Sequence, residues 1–162
     1  MKTLILVRHA KSSWTDPALP DRDRPLNDRG KRDAPKMATR LAKDGVNPDL
    51  ILSSPARRAR ATARIIAKAL DYKRKAIQED DGLYAVEADD LLRVIRGLDD
   101  KLKSVMLVGH NPELTELAHG LSSRIAYMPT CAVALFEFDI RSWSAAGREK
   151  PASVTFYAPK QP

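Results

Sequence analysis

Leu4-Ile5-Leu6-Val7-Arg8-His9 is the stretch from which the fold of this chain can be read. Four apolar residues in a row, two of them β-branched, stop abruptly at an arginine and a histidine. A run of that length reads as a strand buried on both faces, with its carboxyl end opening onto a polar rim. It is too short for the apolar core of a secretory signal. The same pattern recurs at Asp49–Ser53, which runs into Ser54-Pro55, and at Val105–Val108, which runs into Gly109-His110.

Longer helical patterns separate these strands. Asn27 is an N-cap for a helix to about Lys43, with Ala34, Met37, Ala38, Leu41 and Ala42 as its apolar stripe. Pro35 inside it predicts a kink or a later start. Ser54-Pro55 signals a helix over 55–70, a capping hydroxyl followed by proline at the first helical position. Further elements are a strand at 75–79, a helix at 87–97 and a helix from Pro112 to His119 ended by Gly120. Strands at 132–138 and 153–157 have no long helix between them, which predicts an antiparallel pair. Residues 14–26, with Pro17, Pro20 and Pro25, read as an exposed loop. The alternation defines an α/β domain, three layers of α/β/α around a mostly parallel sheet with one antiparallel strand. A single domain is expected over 1–157, with a frayed tail at 158–162.

Composition narrows the function classes. The 162 residues are 43% hydrophobic, enough for one core, and no apolar run reaches the roughly 20 residues that span a bilayer. A net charge of +7 draws anions, either nucleic acid or a phosphorylated substrate. An aromatic content of 6%, with no basic–aromatic stripe, argues against nucleic acid. The single cysteine, Cys131, cannot form an internal disulfide, so the cytoplasm is the default compartment.

In open α/β sheets the ligand site lies beyond the carboxyl ends of the strands. Here three strand ends deliver Arg8-His9, Ser54 with a helix N-terminus, and His110 to one rim, a set suited to an anion. At about 100° per residue, Arg57, Arg60, Arg64 and Lys68 share a solvent-facing side of the second helix. Arg58 falls instead at the edge of the apolar side and leans towards the helix N-terminus, so it reaches the rim.

These residues carry a family resemblance. Leu6-Val7-Arg8-His9-Ala10-Lys11-Ser12, Ser54-Pro55-Ala56-Arg57-Arg58-Ala59-Arg60-Ala61-Thr62 and Val108-Gly109-His110-Asn111-Pro112 resemble, in order and spacing, the three blocks of the histidine phosphatase superfamily. The Arg-His-Ala-Lys-Ser and Gly-His-Asn-Pro forms, with the short length, are similar to the SixA-type phosphohistidine phosphatase branch. The resemblance implies that His9 is the nucleophile and that Arg8, Arg58 and His110 clamp the phosphoryl oxygens. It implies no metal or cofactor, because phosphoryl transfer needs chiefly positioning and electrostatic stabilisation. It also implies no large helical insertion over the site, hence an open pocket with Lys11 and Arg57 on a basic rim. Larger members supply a carboxylic acid for an alcohol leaving group. Glu79 and Asp81 lie in about the right region, in no matching motif; a solvated acidic turn explains them equally well. A missing acid favours phosphohistidine, whose protonated imidazole leaves readily. The partner expected is a phosphorylated protein, such as a histidine phosphotransfer domain. The alternatives are a small phosphate ester, with Asp81 or Glu79 as acid, and a phosphate-binding regulatory module without turnover. Neither nucleic acid nor membrane is expected as a partner. Cys131 as a nucleophile would need an arginine six residues on, where Glu137 stands.

Overall fold

The structure, a computed structural model, describes residues 1–160. Strand β1 (Lys2–Arg8) lies inside the sheet, parallel to β4 (Ser104–Gly109) on one side and antiparallel to β5 (Val133–Phe138) on the other. Leu4, Ile5, Leu6 and Val7 are each at most 1% exposed, which is why the run shows no alternation. The other strands are β2 (Leu50–Ser53), β3 (Gln78–Glu79) and β6 (Ser153–Tyr157), and the sheet order is β3-β2-β4-β1-β5-β6. Only β5 runs against the rest, pairing antiparallel with both β1 and β6.

The helices divide between two faces. Helices α1 (Asp28–Lys43) and α2 (Arg57–Ala69) bury Met37, Leu41, Ala63 and Ile66 against Ile5, Val7, Ile51 and Met106. Helices α3 (Ala88–Arg96) and α4 (Glu113–Leu121) bury Leu91, Ile95, Leu114 and Leu117 against Leu4, Leu6, Leu107 and Phe136. Alternate residues of β1 thus feed two cores, and the three-layer α/β/α architecture follows. No connection between described strands carries more than one α-helix. No helix among the described residues is long and apolar enough to cross a membrane.

Several boundaries differ from the sequence-based expectation. Helix α1 starts at Asp28, capped by the Asn27 side chain on Gly30 N, and continues through Pro35. Ala42 is exposed, because it lies one residue beyond the stripe that Leu41 closes. Helix α2 begins at Arg57 with Ala56 as N-cap; Ser54 Oγ accepts from Ala56 N–H at 3.2 Å but lies outside the helix. The first two residues of 75–79 fall in a 3-10 turn over Arg74–Ala76, and only Gln78–Glu79 form strand. Helix α4 runs through Gly120 to Leu121. Of the tail, residues 161–162 lie outside the described residues, while the Ala158 carbonyl accepts from Arg40 Nη1 at 2.9 Å.

Gly30 marks where α1 meets the chain leaving β1. The Asn27 N–H donates to the Lys11 carbonyl at 3.0 Å, and a Cβ on Gly30 would stand 2.2 Å from that oxygen. Backbone cannot swing aside as a flexible side chain would. Gly30→Ala is expected to destabilise the fold by about 1–3 kcal/mol. Thermal unfolding would register this as a drop of several degrees, and an unchanged melting temperature would mean the helix start shifts freely.

Candidate active site

Strand register assembles the site. Arg8 pairs with Gly109 across β1–β4, and Ser53 with Val108 across β2–β4, so three adjacent parallel strands end at one level. The ladder extends one step further, with His9 N–H donating to the Gly109 carbonyl and Ser54 N–H to the Val108 carbonyl, each at 3.0 Å. His9, Ser54 and His110 therefore emerge side by side, and the two imidazole centroids are 5.1 Å apart. Both histidines are buried, at 7% and 6% exposed.

His9 is held from behind. Its Nδ1 lies 2.7 Å from the Ala10 carbonyl, which can only accept, so Nδ1 carries the proton and Nε2 the lone pair. Ala10 N–H donates to Thr62 Oγ1 at 3.0 Å, and that hydroxyl donates to the Arg58 carbonyl at 2.8 Å, tying the exit of β1 to α2. Cys131, at φ +63°, donates its N–H to both the Arg8 and His9 carbonyls, at 3.1 and 3.0 Å. Burial, reinforced by His110, Arg58 and Arg8, outweighs the Ala10 hydrogen bond and pushes the His9 pKa down to about 3. Burial and the Arg58 charge push His110 down to about 4. Both rings are neutral near pH 7.

Arg58 joins the two histidines. It is 6% exposed, and its Nε–H and Nη2–H edge points at His9 Nε2 and His110 Nδ1, each 3.4 Å away. Because Arg58 can only donate, the neutral His110 accepts at Nδ1 and carries its proton on Nε2, donating to Ser54 Oγ at 2.8 Å. The far end of the guanidinium is held by Asp21: Nη1 donates to its carbonyl at 2.7 Å and Nη2 to Oδ2 at 3.0 Å. Asp21 in turn accepts from the Tyr84 hydroxyl at 2.8 Å and from Arg24 Nη1 at 2.9 Å. Burial would raise the Asp21 pKa, but hydrogen bonds from Tyr84, Arg58 and Arg24 hold it at about 2. Arg8, the fourth expected member, donates from Nη1 to the Tyr127 hydroxyl at 2.9 Å and the Met128 carbonyl at 3.1 Å. Its Nε is buried with no hydrogen-bond partner among the described residues.

The remaining sequence candidates sit further out. Lys11 is half-buried and Arg57 exposed, and neither forms an ion pair among the described residues. Arg60, expected in solvent, is half-buried and pairs with Glu79 at 3.6 Å, because α2 packs beside the end of β3. Asp81 pairs loosely with Arg22 at 3.5 Å, and Arg22 lies over the Tyr84 ring. Burial raises the Cys131 thiol to about 12, leaving it unreactive. His119, near the end of α4, bonds through Nδ1 to the Ile125 carbonyl at 2.9 Å. Asp21, Tyr84 and Arg24 carry no pattern in the sequence, and Ser54, expected as a helix cap, bonds His110 instead. One signal existed: a buried arginine needs a carboxylate partner, and 14–26 holds several aspartates.

A neutral imidazole with its free nitrogen facing a guanidinium edge is an arrangement suited to a phosphoryl group. The model of the histidine phosphatase superfamily (branch 1) matches residues 4–91. An uncharacterized chloroplastic protein of Arabidopsis thaliana is 35% identical over 153 residues, covering 90% of this chain and 70% of that one. A SixA protein of Agrobacterium tumefaciens, assigned as a phosphohistidine phosphatase, superposes with a TM-score of 0.81 at 29% identity over 98% of both chains. Phosphoserine phosphatase 1 of Hydrogenobacter thermophilus is 40% identical over 84 residues, 49% of this chain and 37% of that one. The chain belongs to the histidine phosphatase superfamily. Within it, the fold is SixA-like.

The buried histidines link the site to acid stability. Their folded pKa values lie below the unfolded value of 6.5, so the unfolded chain binds more protons as pH falls. Stability contributed by their neutrality is complete above pH 6.5 and is lost progressively on acidification towards pH 4. Each histidine adds a slope of up to about 1.4 kcal/mol per pH unit in that window. Urea unfolding from pH 7 to pH 4.5 should show this decline, and His9→Gln should flatten it. An equal slope in the variant would place the proton uptake elsewhere.

Proposed function

We propose that the chain is a phosphatase that passes a phosphoryl group through His9, with phosphohistidine in a protein as its substrate. The observation that carries this reading is the Nε–H and Nη2–H edge of Arg58, aimed at the gap between His9 Nε2 and His110 Nδ1. A phosphoryl group there would meet a bidentate guanidinium and an uncharged nucleophile. The buried Arg8 Nε adds a donor whose lack of a partner costs about 1–3 kcal/mol, which a phosphoryl oxygen would offset.

His9 Nε2 attacks phosphorus while Nδ1–H stays on the Ala10 carbonyl, so the ring becomes a phosphorylated imidazolium without losing a proton. The leaving group departs with the electron pair of its bond to phosphorus. Arg8 and Arg58 spread the charge of the equatorial oxygens, and His110 joins them once its proton moves from Nε2 to Nδ1, the Ser54 hydroxyl then donating to Nε2. Water then attacks phosphorus, the Nε2–P bond breaks with its electron pair returning to Nε2, and inorganic phosphate leaves with both water protons, regenerating neutral His9.

Phosphohistidine is favoured over esters because two carboxylates of the region, among the described residues, are committed to arginines. Glu79 is engaged by Arg60, and Asp21 is held ionised. A second reading, a small phosphate ester with Asp81 as acid, draws on the exposure of that carboxylate beside Arg22 and on the phosphoserine phosphatase relative.

Trapping by an alkaline detergent quench with phosphohistidine peptide and p-nitrophenyl phosphate separates these readings. A base-stable, His9-dependent phosphoenzyme is expected with both, with higher kcat/KM on the peptide. His9→Ala should abolish it, and Arg58→Lys should lower kcat/KM by about 10²–10³-fold. Full turnover in His9→Ala would overturn the mechanism. A preference for esters that disappears in Asp81→Asn would establish the second reading.

A further inference from the structure

Asp21 is more elaborately held than an anchor for Arg58 needs to be. Its carbonyl already fixes Arg58 Nη1, yet its carboxylate gathers Arg58 Nη2, the Tyr84 hydroxyl and Arg24 Nη1 from three separate parts of the chain. Arg24 is itself buried and fastened to the Ser13 carbonyl and to Ser12 Oγ. The carboxylate nevertheless stays 48% exposed, against 8% for the Arg58 side chain it bonds. It is thus a fixed negative charge at the mouth, one hydrogen-bonded atom from the pocket lined by His9 and His110.

Position gives this charge a role. His9 lies at the floor, so in-line attack sends the leaving group outward, past the mouth. An alcohol leaving group gathers negative charge as its bond to phosphorus breaks, and a carboxylate alongside opposes this. A phosphohistidine ring protonated on its other nitrogen is cationic before transfer and neutral after it. A carboxylate attracts that cation and can accept its N–H. Acting as an acid is closed to Asp21, since Tyr84, Arg58 and Arg24 all donate to it.

We propose that Asp21 is a specificity-determining residue, accepting a hydrogen bond from the protonated ring nitrogen of a phosphohistidine leaving group and disfavouring phosphate esters. The proposal rests on the phosphatase reading above and deepens it. In the step, the bond from His9 Nε2 to phosphorus forms and the substrate's N–P bond breaks. The electron pair of that bond returns to the substrate nitrogen. The proton on the substrate's other nitrogen stays in place, shared with Asp21, so a neutral imidazole departs.

Asp21→Asn keeps the backbone carbonyl on Arg58 and an oxygen for Tyr84, and removes the charge. Wild type and variant are assayed on phosphohistidine peptide and p-nitrophenyl phosphate, with kcat followed from pH 5.5 to 9. The ratio of kcat/KM for peptide over ester is expected to fall at least about tenfold, a difference of roughly 1.4 kcal/mol between the two reactions. The basic limb of kcat on the peptide should also move to lower pH, because the bound ring loses its proton sooner. Equal losses on both substrates, with the limb unmoved, would make Asp21 a positioning residue for Arg58 alone and overturn the proposal. A larger loss on the ester would identify a general acid and overturn it too. Wild type that favours the ester overturns the phosphohistidine reading itself, a result visible before any variant is made.

Discussion

The pairing of β1 with β4 is the constraint from which the site follows. Arg8 lies opposite Gly109, so the residues that come next, His9 and His110, are neighbours at one rim although they stand far apart in the chain. A slip of one residue would invert every side chain of β1, burying Arg8 in one core and turning Ile5 and Val7 into the other. Apolar burial on both faces excludes that slip. The hydrophobic effect thus fixes the spacing of two catalytic candidates to within a hydrogen-bond ladder, without either contributing to the core.

Electrostatics then acts on what the sheet has arranged. Burial keeps both imidazoles neutral, and the arginines nearby reinforce this by disfavouring added positive charge. The same burial would be costly for Arg58 without Asp21, which accepts at two of its nitrogens. One side of the guanidinium is satisfied by protein and the other faces the histidines. Neutral imidazoles and a cationic guanidinium edge are therefore two results of one low-dielectric site. Each depends on the loop that carries Asp21 staying in place.

The sheet and four side chains of the site were legible because they obey periodic rules. Unbroken apolar runs mark the buried strands, and helical phase alone separates buried Arg58 from exposed Arg57. Asp21 was not legible, since 14–26 has no periodicity and its link to Arg58 spans 37 residues. Ser54 was misread for a related reason. Its hydroxyl can satisfy a nearby N–H in any Ser-Pro start, and only the fold puts His110 Nε2 within 2.8 Å of it. The Arg60–Glu79 pair escaped because a helical wheel knows nothing of the strand packed beside it.

The sheet order also carries a consequence for synthesis. β1 comes before the other described strands in sequence, yet its neighbours in the sheet, β4 and β5, follow β2 and β3. Until residues 104–109 have appeared, this buried strand has no hydrogen-bonding partner on either edge. Non-local pairing of this kind slows folding and leaves strand edges open in the meantime. A nascent chain therefore acquires its histidine pair only once β4 and His110 have been made, and a product truncated before them carries His9 without its partner.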